Sequence, residues 1–168
     1  MDFLSQTLYR EIRQIAAMRI RGDRAERSIC ATDLAHEVIE RALRQEAVCG
    51  VSRDELLRRV SQIARQVLVD HGRRRGRQRR GGGRDVVQLA AEPCATEHMA
   101  PVDVVAIDDA LLQLAALDAR QAQMIEMRYF GGCSVGEVAG ALGVSVSTVE
   151  KEERKARAWL ELALADDA

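Results

Sequence analysis

Apolar residues along this chain recur at steps of three and four, the spacing of helices that each bury one face. Near the start, this spacing predicts a first helix over residues 4–20. A second helix is predicted from Thr32, whose hydroxyl can cap it, with Asp33 in the first turn, where a negative charge complements the helix dipole. Ser52 is a further cap, and after it residues 54–71 carry the most regular apolar stripe, which predicts a well-buried third helix.

The pattern changes after this third helix. A basic run at 73–80 contains six arginines, and three glycines at 81–83 predict its end. Residues 85–103 show no sustained period and contain both prolines of the chain. We therefore expect a linker there.

The C-terminal part predicts a helix-turn-helix. After one helix that begins near the end of the linker, a second spans about 120–130 and stops at a pair of glycines. Ser134 then caps a predicted short helix over 135–142, residues 143–145 form a turn that starts with glycine, and a long helix follows over about 146–164. This order is typical of DNA-binding helix-turn-helix modules, although an ordinary helical hairpin shows it too.

Together these elements predict an all-α chain of two small helical domains, residues 1–84 and 104–168, joined by a flexible linker at 85–103. With 3% aromatic residues and two prolines in 168 residues, the composition favours helix over strand. The charge is divided, because 19 arginines against 11 acids give residues 1–84 a net charge of +8, whereas residues 85–168 carry −9. A basic first half indicates a polyanionic partner. No apolar stretch is long enough to cross a membrane and no secretory signal is visible, so we expect a soluble, intracellular protein.

Residues that could carry chemistry are sparse. The four cysteines are widely spaced, as expected for reduced thiols. His36 with Glu37 as an acid–base pair, or His36 with His71 and a cysteine as a metal site, would lack the spacing of known ligand sets. One local cluster of candidate ligands lies in the predicted linker, where a redox or metal sensor and a solvated segment both stay open: Glu92, Cys94, Glu97 and His98. We expect no catalytic residue, no bound metal and no cofactor.

Several stretches of the chain, taken in order, resemble the extracytoplasmic-function (ECF) sigma factors of bacterial RNA polymerase: Leu8–Arg13, Thr32–Glu37, Val67–His71 with the arginine run behind it, Ala115–Gln123, Met127–Gly132 and Ala156–Leu160. The resemblance covers nearly the whole chain. It implies a transcription initiation factor whose first domain binds the clamp helices of the largest polymerase subunit and opens the promoter at its −10 element. The second domain would read the −35 element and touch the flap of the second-largest subunit.

The resemblance also implies a set of site residues. The −35 element would be read from the start of the last helix, by Ser145, Ser147, Thr148, Glu150, Lys151, Arg154 and Lys155. The −10 region and the DNA backbone would be contacted by Arg65, Arg73, Arg74, Arg75, Arg77, Arg79 and Arg80. Polymerase would be bound by Asp33, His36, Glu37, Glu40 and Arg41. Thr32 is a candidate phosphosite, because some relatives of this type are controlled by serine/threonine kinases in place of an anti-sigma factor.

The chemistry of these residues fits such roles. Lysine or arginine favours guanine, glutamate accepts from cytosine, and serine and threonine serve several bases. Clustered arginines predict a binding affinity that falls steeply with salt.

Two features depart from the family pattern. The last helix carries Glu150, Glu152 and Glu153 beside its cations, and residues 120–157 hold six basic residues against five acidic ones, which predicts weak DNA binding without polymerase. No Trp, Tyr or Phe occurs from residue 10 to 128, so unpaired bases would be held without aromatic stacking. Three alternatives stay open: a stand-alone helix-turn-helix regulator, a sigma-like protein that binds polymerase without initiating, and a cysteine-dependent or metal enzyme.

Overall fold

A computed structural model describes residues 31–45, 50–78, 86–87 and 102–166, with side chains described for 35–45, 50–74 and 104–165. The predicted first helix over 4–20, the residues Arg79 and Arg80 and the candidate ligand cluster of the linker lie outside these ranges. The side chains of Thr32, Asp33, Arg75 and Arg77 lie outside them as well.

Six helices carry the fold of the described residues and confirm the predicted all-α class: α1 (Ala31–Arg44), α2 (Arg53–Gln78), α3 (Val104–Leu117), α4 (Ala119–Tyr129), α5 (Val135–Leu142) and α6 (Val146–Asp166). Two short strands lie between α2 and α3, β1 (Val86–Val87) and β2 (Val102–Asp103). They pair antiparallel, with Val86 opposite Asp103 and Val87 opposite Val102. The sequence had predicted no strand here, since two residues are too few to show a period, but the β-branched valines favour the extended backbone. The pairing brings the two ends of the predicted linker together.

The predicted ends of the N-terminal helices need two corrections. Helix α1 begins at Ala31, so Thr32 lies in its first turn and not at its N-cap. Helix α2 runs to Gln78, beyond the predicted end near His71, because arginine is a good helix former and the isolated glycines at positions 72 and 76 do not stop the helix. The cap at Ser52 is confirmed, since its Oγ accepts a hydrogen bond of 3.2 Å from the backbone N–H of Glu55.

Helices α1 and α2 share a small apolar core. Seven buried residues form it, from the inner faces of both helices: Ala35, Val38, Ala42, Val60, Ile63, Ala64 and Val67. Their spacing is the one that predicted these two helices. We call α1 and α2 the N-terminal module.

Helices α3 to α6, which we call the C-terminal module, pack around two further clusters. One joins α3, α4 and α6 through Ile107, Leu111, Leu114, Ala122, Ile125, Tyr129, Phe130 and Ala156, with Trp159 packed against it. The other lies beneath the helix-turn-helix and holds Met124, Met127, Cys133, Val138, Ala139, Ala141 and Val149. The aromatic residues of this module therefore serve its core.

The two modules are in direct contact along α2. Leu57 of α2 belongs to the cluster beneath the helix-turn-helix. Nearby, the Nη1 of Arg58 donates to the carbonyl oxygen of Ala141 at 3.0 Å, and Arg53 pairs with Glu137 at 2.7 Å. Helix α2 is thus shared between both modules.

Candidate nucleic-acid interface

The helix-turn-helix is built from strong local signals. Ser134 begins α5 with a capping box, in which its Oγ accepts from the backbone N–H of Glu137 and the Glu137 carboxylate accepts from the backbone N–H of Ser134. Gly143 ends the helix in the left-handed region, with φ of 65°. A glycine adopts this backbone at little cost, which allows the sharp turn into α6. The bounds of α5 and the turn are those that the sequence predicted.

Hydroxyl groups surround the first turn of α6. The Ser145 Oγ lies 2.9 Å from the Ser147 Oγ and 2.8 Å from the Thr148 Oγ1, and it accepts a hydrogen bond of 3.1 Å from the backbone N–H of Thr148. Ser145 and Ser147 are exposed, and Thr148 is half-buried. The predicted −35 residues at the start of the helix therefore stand together on one surface.

The charged residues of α6 separate onto two sides of the helix. Glu150, Lys151, Arg154 and Lys155 are exposed, and their net charge is +2. Glu152 and Glu153 turn towards the module, where each carboxylate meets an arginine of α4. Two of the three acidic residues that predicted weak DNA binding are thus turned inward, and the outer surface of α6 is positive. We call this outer surface, from Ser145 to Lys155, the α6 face.

Arg128 fixes the position of α6. Its Nε lies 3.3 and 3.2 Å from the two carboxylate oxygens of Glu153, and its Nη1 donates to the carbonyl oxygen of Cys133 at 2.7 Å. Both side chains are only 12% exposed. The guanidinium of Arg128, at the end of α4, thereby contacts both the turn before α5 and helix α6. Sequence reasoning did not single out this residue, although it lies within the Met127–Gly132 motif.

A second arginine–glutamate pair between α4 and α6 is more exposed to solvent. Arg120 Nη2 lies 2.7 Å from Glu152 Oε1, and the arginine side chain is half exposed. Among the described residues, the Glu152 Oε2 atom is buried without a hydrogen-bond partner. Arg120 therefore contacts only one of the two oxygens of the Glu152 carboxylate.

Five of the seven arginines expected to contact the −10 region belong to α2: Arg65, Arg73, Arg74, Arg75 and Arg77. Arg65 pairs with Asp108 at 2.9 Å and with Glu126 at 3.3 Å. Arg73 pairs with Asp108 at 3.2 Å but is half exposed, and Arg74 is half exposed beside Glu37. Two of the expected DNA contacts are therefore engaged by acidic residues of α3 and α4.

The residues expected to bind polymerase lie on α1, and two of them, Glu37 and Arg41, pair with residues of α2. Glu37 Oε2 lies 2.9 Å from the Nε2 of His71, and Arg41 donates to Asp70 at 2.9 Å. His36 and Glu40 are exposed, and Glu40 pairs with Arg44 one turn further on. Glu37 therefore pairs with the histidine of α2. No cluster of three or more candidate metal ligands occurs within the described ranges.

Comparison with known proteins settles the family. The family model described as ECF sigma factor matches residues 1–166. The chain belongs to the ECF sigma factor family.

The ECF RNA polymerase sigma factor SigL of Mycobacterium tuberculosis, matched in strain H37Rv and two others, is 28% identical over 151 residues, which cover 88% of this chain and 80% of SigL. The sigma factor RpoE of Bartonella quintana, solved in complex with the anti-sigma factor NepR, matches 98% of both chains at 21% identity with a TM-score of 0.41. That structural likeness is too low to support any conclusion here.

As an ECF sigma factor, the protein acts in transcription initiation, with RNA polymerase and promoter DNA as its partners. The family is one of transcription regulators and not one of enzymes. Within the described parts of this sigma factor, no helix has both the length and the apolar character needed to cross a membrane.

The sigma factor also carries an apolar groove on the C-terminal module, away from the start of α6. Its volume is about 460 Å³ including the solvent at its mouth. Residues of α3, α4 and the second half of α6 line it: Ile107, Ile125, Tyr129, Phe130, Arg157, Leu160, Glu161 and Leu164. Burial in its wall, opposed by the nearby Arg157, raises the pKa of Tyr129 to about 12. The phenol is therefore neutral at physiological pH.

Proposed function

We propose that this sigma factor reads a −35 element with the α6 face while the basic end of α2 contacts the DNA near the −10 element. The observation that carries the proposal is the α6 face itself, a row of exposed hydroxyls and cations at the start of a helix that follows a capped short helix and a glycine turn. Such a helix fits the major groove, where side chains at its N-terminal end reach base edges. The division into residues 1–84, a linker at 85–103 and residues 104–168 is part of the same proposal.

Within the α6 face, each residue has a chemical role. Lys151 and Arg154 are donors suited to guanine, and Glu150 is an acceptor suited to the amino group of cytosine. Ser145, Ser147 and Thr148 can serve bases or phosphates, while Lys155 is suited to the backbone. The positive outer charge steers the face to DNA, and polymerase supplies the rest of the affinity.

The DNA contact of the first domain is proposed for the arginines of α2 and of the run that follows it. Arg73 and Arg74 are half exposed. Arg65 can join them only when it leaves its acidic partners. The remaining members of the set are proposed from the sequence alone: Arg75, Arg77, Arg79 and Arg80.

Polymerase contact is proposed for the outer side of α1, towards the clamp helices of the largest subunit. Exposed His36 and Glu40 offer the contact atoms, and Glu37 and Arg41 are held in place by His71 and Asp70 of α2. Asp33 lies in the first turn of the same helix. This network gives the N-terminal module a rigid polar surface.

The flap of the second-largest subunit is proposed to enter the apolar groove of the C-terminal module. Leu160 and Leu164 line the groove, whereas DNA meets residues near Ser147, about 20 Å away along the same helix at a rise of 1.5 Å per residue. The two partners therefore do not compete for one surface.

The protein is further proposed to act in the cytoplasm without catalysis and without a cofactor. Control would come from an anti-sigma factor or from phosphorylation at Thr32, in the first turn of α1. A phosphate there adds about two negative charges beside the proposed polymerase surface. Thr32→Glu should therefore change the affinity for core polymerase, and a variant that binds as the wild type does would exclude this control.

The test mixes the purified chain with core RNA polymerase, follows co-elution on a sizing column and then measures transcripts from promoter fragments, among them one from upstream of its own gene. The proposal expects co-elution and promoter-dependent transcripts. Lys151→Ala should keep co-elution and lose transcripts, whereas Gln113→Ala, exposed on α3 and outside the proposed surfaces, should change the transcripts little.

Other results would contradict the proposal in different ways. Co-elution without transcripts on any fragment would favour a sigma-like protein that does not initiate. Specific duplex binding without any polymerase contact would favour the stand-alone regulator.

A further inference from the structure

The α6 face contains one exposed apolar side chain beside its hydroxyls and charges. Val146, the first residue of α6, is 48% exposed, and its neighbours Ser145 and Ser147 are exposed as well. Val149, one turn further along the helix, is fully buried beneath the helix-turn-helix. Val146 belongs to none of the apolar clusters formed by the described residues. Its side chain is therefore presented to whatever the α6 face contacts.

Other exposed apolar residues lie elsewhere in the described parts of the chain. Leu43 lies on α1, and Leu112 and Leu117 lie on α3. Leu162 lies in the second half of α6, beyond the α6 face. Among the large apolar side chains that the structure shows as exposed, Val146 alone stands among the residues proposed to read bases.

The helix places Val146 in line with two of those residues. Side chains four positions apart lie one above the other on the same side of a helix, so that Val146, Glu150 and Arg154 form one stripe. Glu150 and Arg154 are exposed, and the Nε of Arg154 donates to the backbone carbonyl oxygen of Glu150 at 3.2 Å. The stripe thus begins with an apolar group and continues with an acceptor and a donor.

The chemistry of valine limits what it can recognise on DNA. Valine has no donor or acceptor, so against a base amino group, a base carbonyl or a phosphate it would displace water without replacing the lost hydrogen bond. In the major groove the 5-methyl group distinguishes thymine from the other three bases. Contact between this methyl group and a valine removes apolar surface from water on both sides, which is favourable. Thymine is therefore the base that suits Val146.

We propose that Val146 is a specificity-determining residue of the −35 interface and that it recognises the 5-methyl group of a thymine. This rests on the proposed function, because it requires the α6 face to lie in the major groove. It adds an apolar contact to a surface whose other proposed contacts are polar. The −35 element must then contain a thymine, on one of its two strands, whose methyl group contributes to binding.

The test removes the methyl group from the DNA and the valine from the protein. Each thymine of the −35 element is replaced in turn by deoxyuridine, which lacks only the 5-methyl group. Binding of each duplex to the full chain in complex with core polymerase is measured by fluorescence anisotropy. At one thymine the replacement should weaken binding to the wild type about fourfold, the value of one buried methyl group. For Val146→Ala the same replacement should have no effect, and its thymine duplex should bind about as weakly as the deoxyuridine duplex binds to the wild type.

Two further variants separate a base contact from a change in the helix. Val146→Ile keeps a branched apolar side chain and should keep the preference for thymine over deoxyuridine. Leu112→Ala, the matched control, shortens an apolar side chain that is 54% exposed on α3, outside the proposed surfaces. It should keep the wild-type affinity and preference. Circular dichroism checks that all variants have the same helix content.

The results distinguish a failure of this contact from a failure of the proposed function. If Lys151→Ala weakens binding to the −35 duplex but every replacement affects the wild type and Val146→Ala alike, the thymine contact is refuted and the proposed function stands. A −35 element without any thymine would refute the contact in the same way. If the wild-type complex binds the −35 duplex no better than an unrelated one, and Lys151→Ala changes nothing, the proposed function falls and the thymine contact falls with it.

Discussion

Helices α6 and α2 carry the two sets of residues proposed to contact DNA, but the fold presents them in opposite ways. The α6 face points to solvent, and its inner acids are neutralised by arginines of its own module. Helix α2 turns Arg65 inward, where the acids of another module neutralise it. The difference shows that a basic residue on a regular helix can contact DNA only if no acidic residue elsewhere in the chain already pairs with it.

The largest expected effect concerns the fixing of α6. Arg128→Ala should lower the free energy of unfolding by about 3–5 kcal/mol, because the largely buried carboxylate of Glu153 would lose its arginine partner. Urea unfolding measures this loss. Arg120→Ala is the control, with an expected loss of about 1 kcal/mol or less, since its side chain is half exposed. Equal losses in the two variants would show that Arg128 is no more important than a surface residue.

The next largest expected effect concerns the reading of DNA bases by α6. With polymerase bound, Lys151→Ala should weaken binding to the preferred −35 duplex by about 1–3 kcal/mol and leave unrelated duplexes unaffected. Arg74→Ala should weaken all sequences alike and reduce the slope of log affinity against log salt by about one. Fluorescence anisotropy over a salt series distinguishes the two. If Lys151→Ala instead weakens binding to all sequences alike, as expected of Arg74→Ala, then α6 does not read bases and differs from α2 in exposure only.

A smaller effect is expected at the helix caps. Ser134→Ala should cost about 1 kcal/mol of unfolding free energy, because it removes a capping box at the start of the helix-turn-helix. Ser52→Ala at the start of α2 should cost less, since a single hydrogen bond is lost there. Thermal unfolding of the two variants side by side measures the difference. A greater loss at Ser52 would place the more important cap in the N-terminal module.

The last effect is absent at neutral pH and appears only in alkali. Tyrosine in the unfolded chain loses its proton near pH 10, whereas the folded protein keeps the Tyr129 proton up to a pKa of about 12. The folded state then holds more protons than the unfolded one, so stability should fall as the pH rises from 10 to 12. Unfolding measured across this range should show a shallower fall for Tyr129→Phe. Identical slopes would mean that the phenol is accessible to solvent in the fold.

The sequence predicted the C-terminal module well because its signals are local. The capping residue Ser134 and the left-handed Gly143 each act within a few residues of the chain. The observed bounds of α5 are therefore the predicted ones. The end of α2 was placed too early, because the helix propensity of its arginines outweighs two isolated glycines, Gly72 and Gly76.

Other features could not be read from local patterns. The pairing of Arg65 with Asp108 joins residues 43 positions apart, and no spacing rule indicates it. A charge count along α6 missed the burial of Glu152 and Glu153 for the same reason. The sequence did contain one indication of the importance of Arg128, because this residue lies within the Met127–Gly132 motif. That motif was noted for its likeness to the family and not for the chemistry of its arginine.

The pairing of β1 with β2 also sets how far the two modules can move apart. While these strands are joined, only residues 79–85 separate α2 from the pair, and seven residues span at most about 25 Å. Without the pairing, residues 79–103 would all contribute, and 25 residues span at most about 85 Å. A pairing of only two residues on each side thus shortens the longest possible tether between α2 and α3 about threefold.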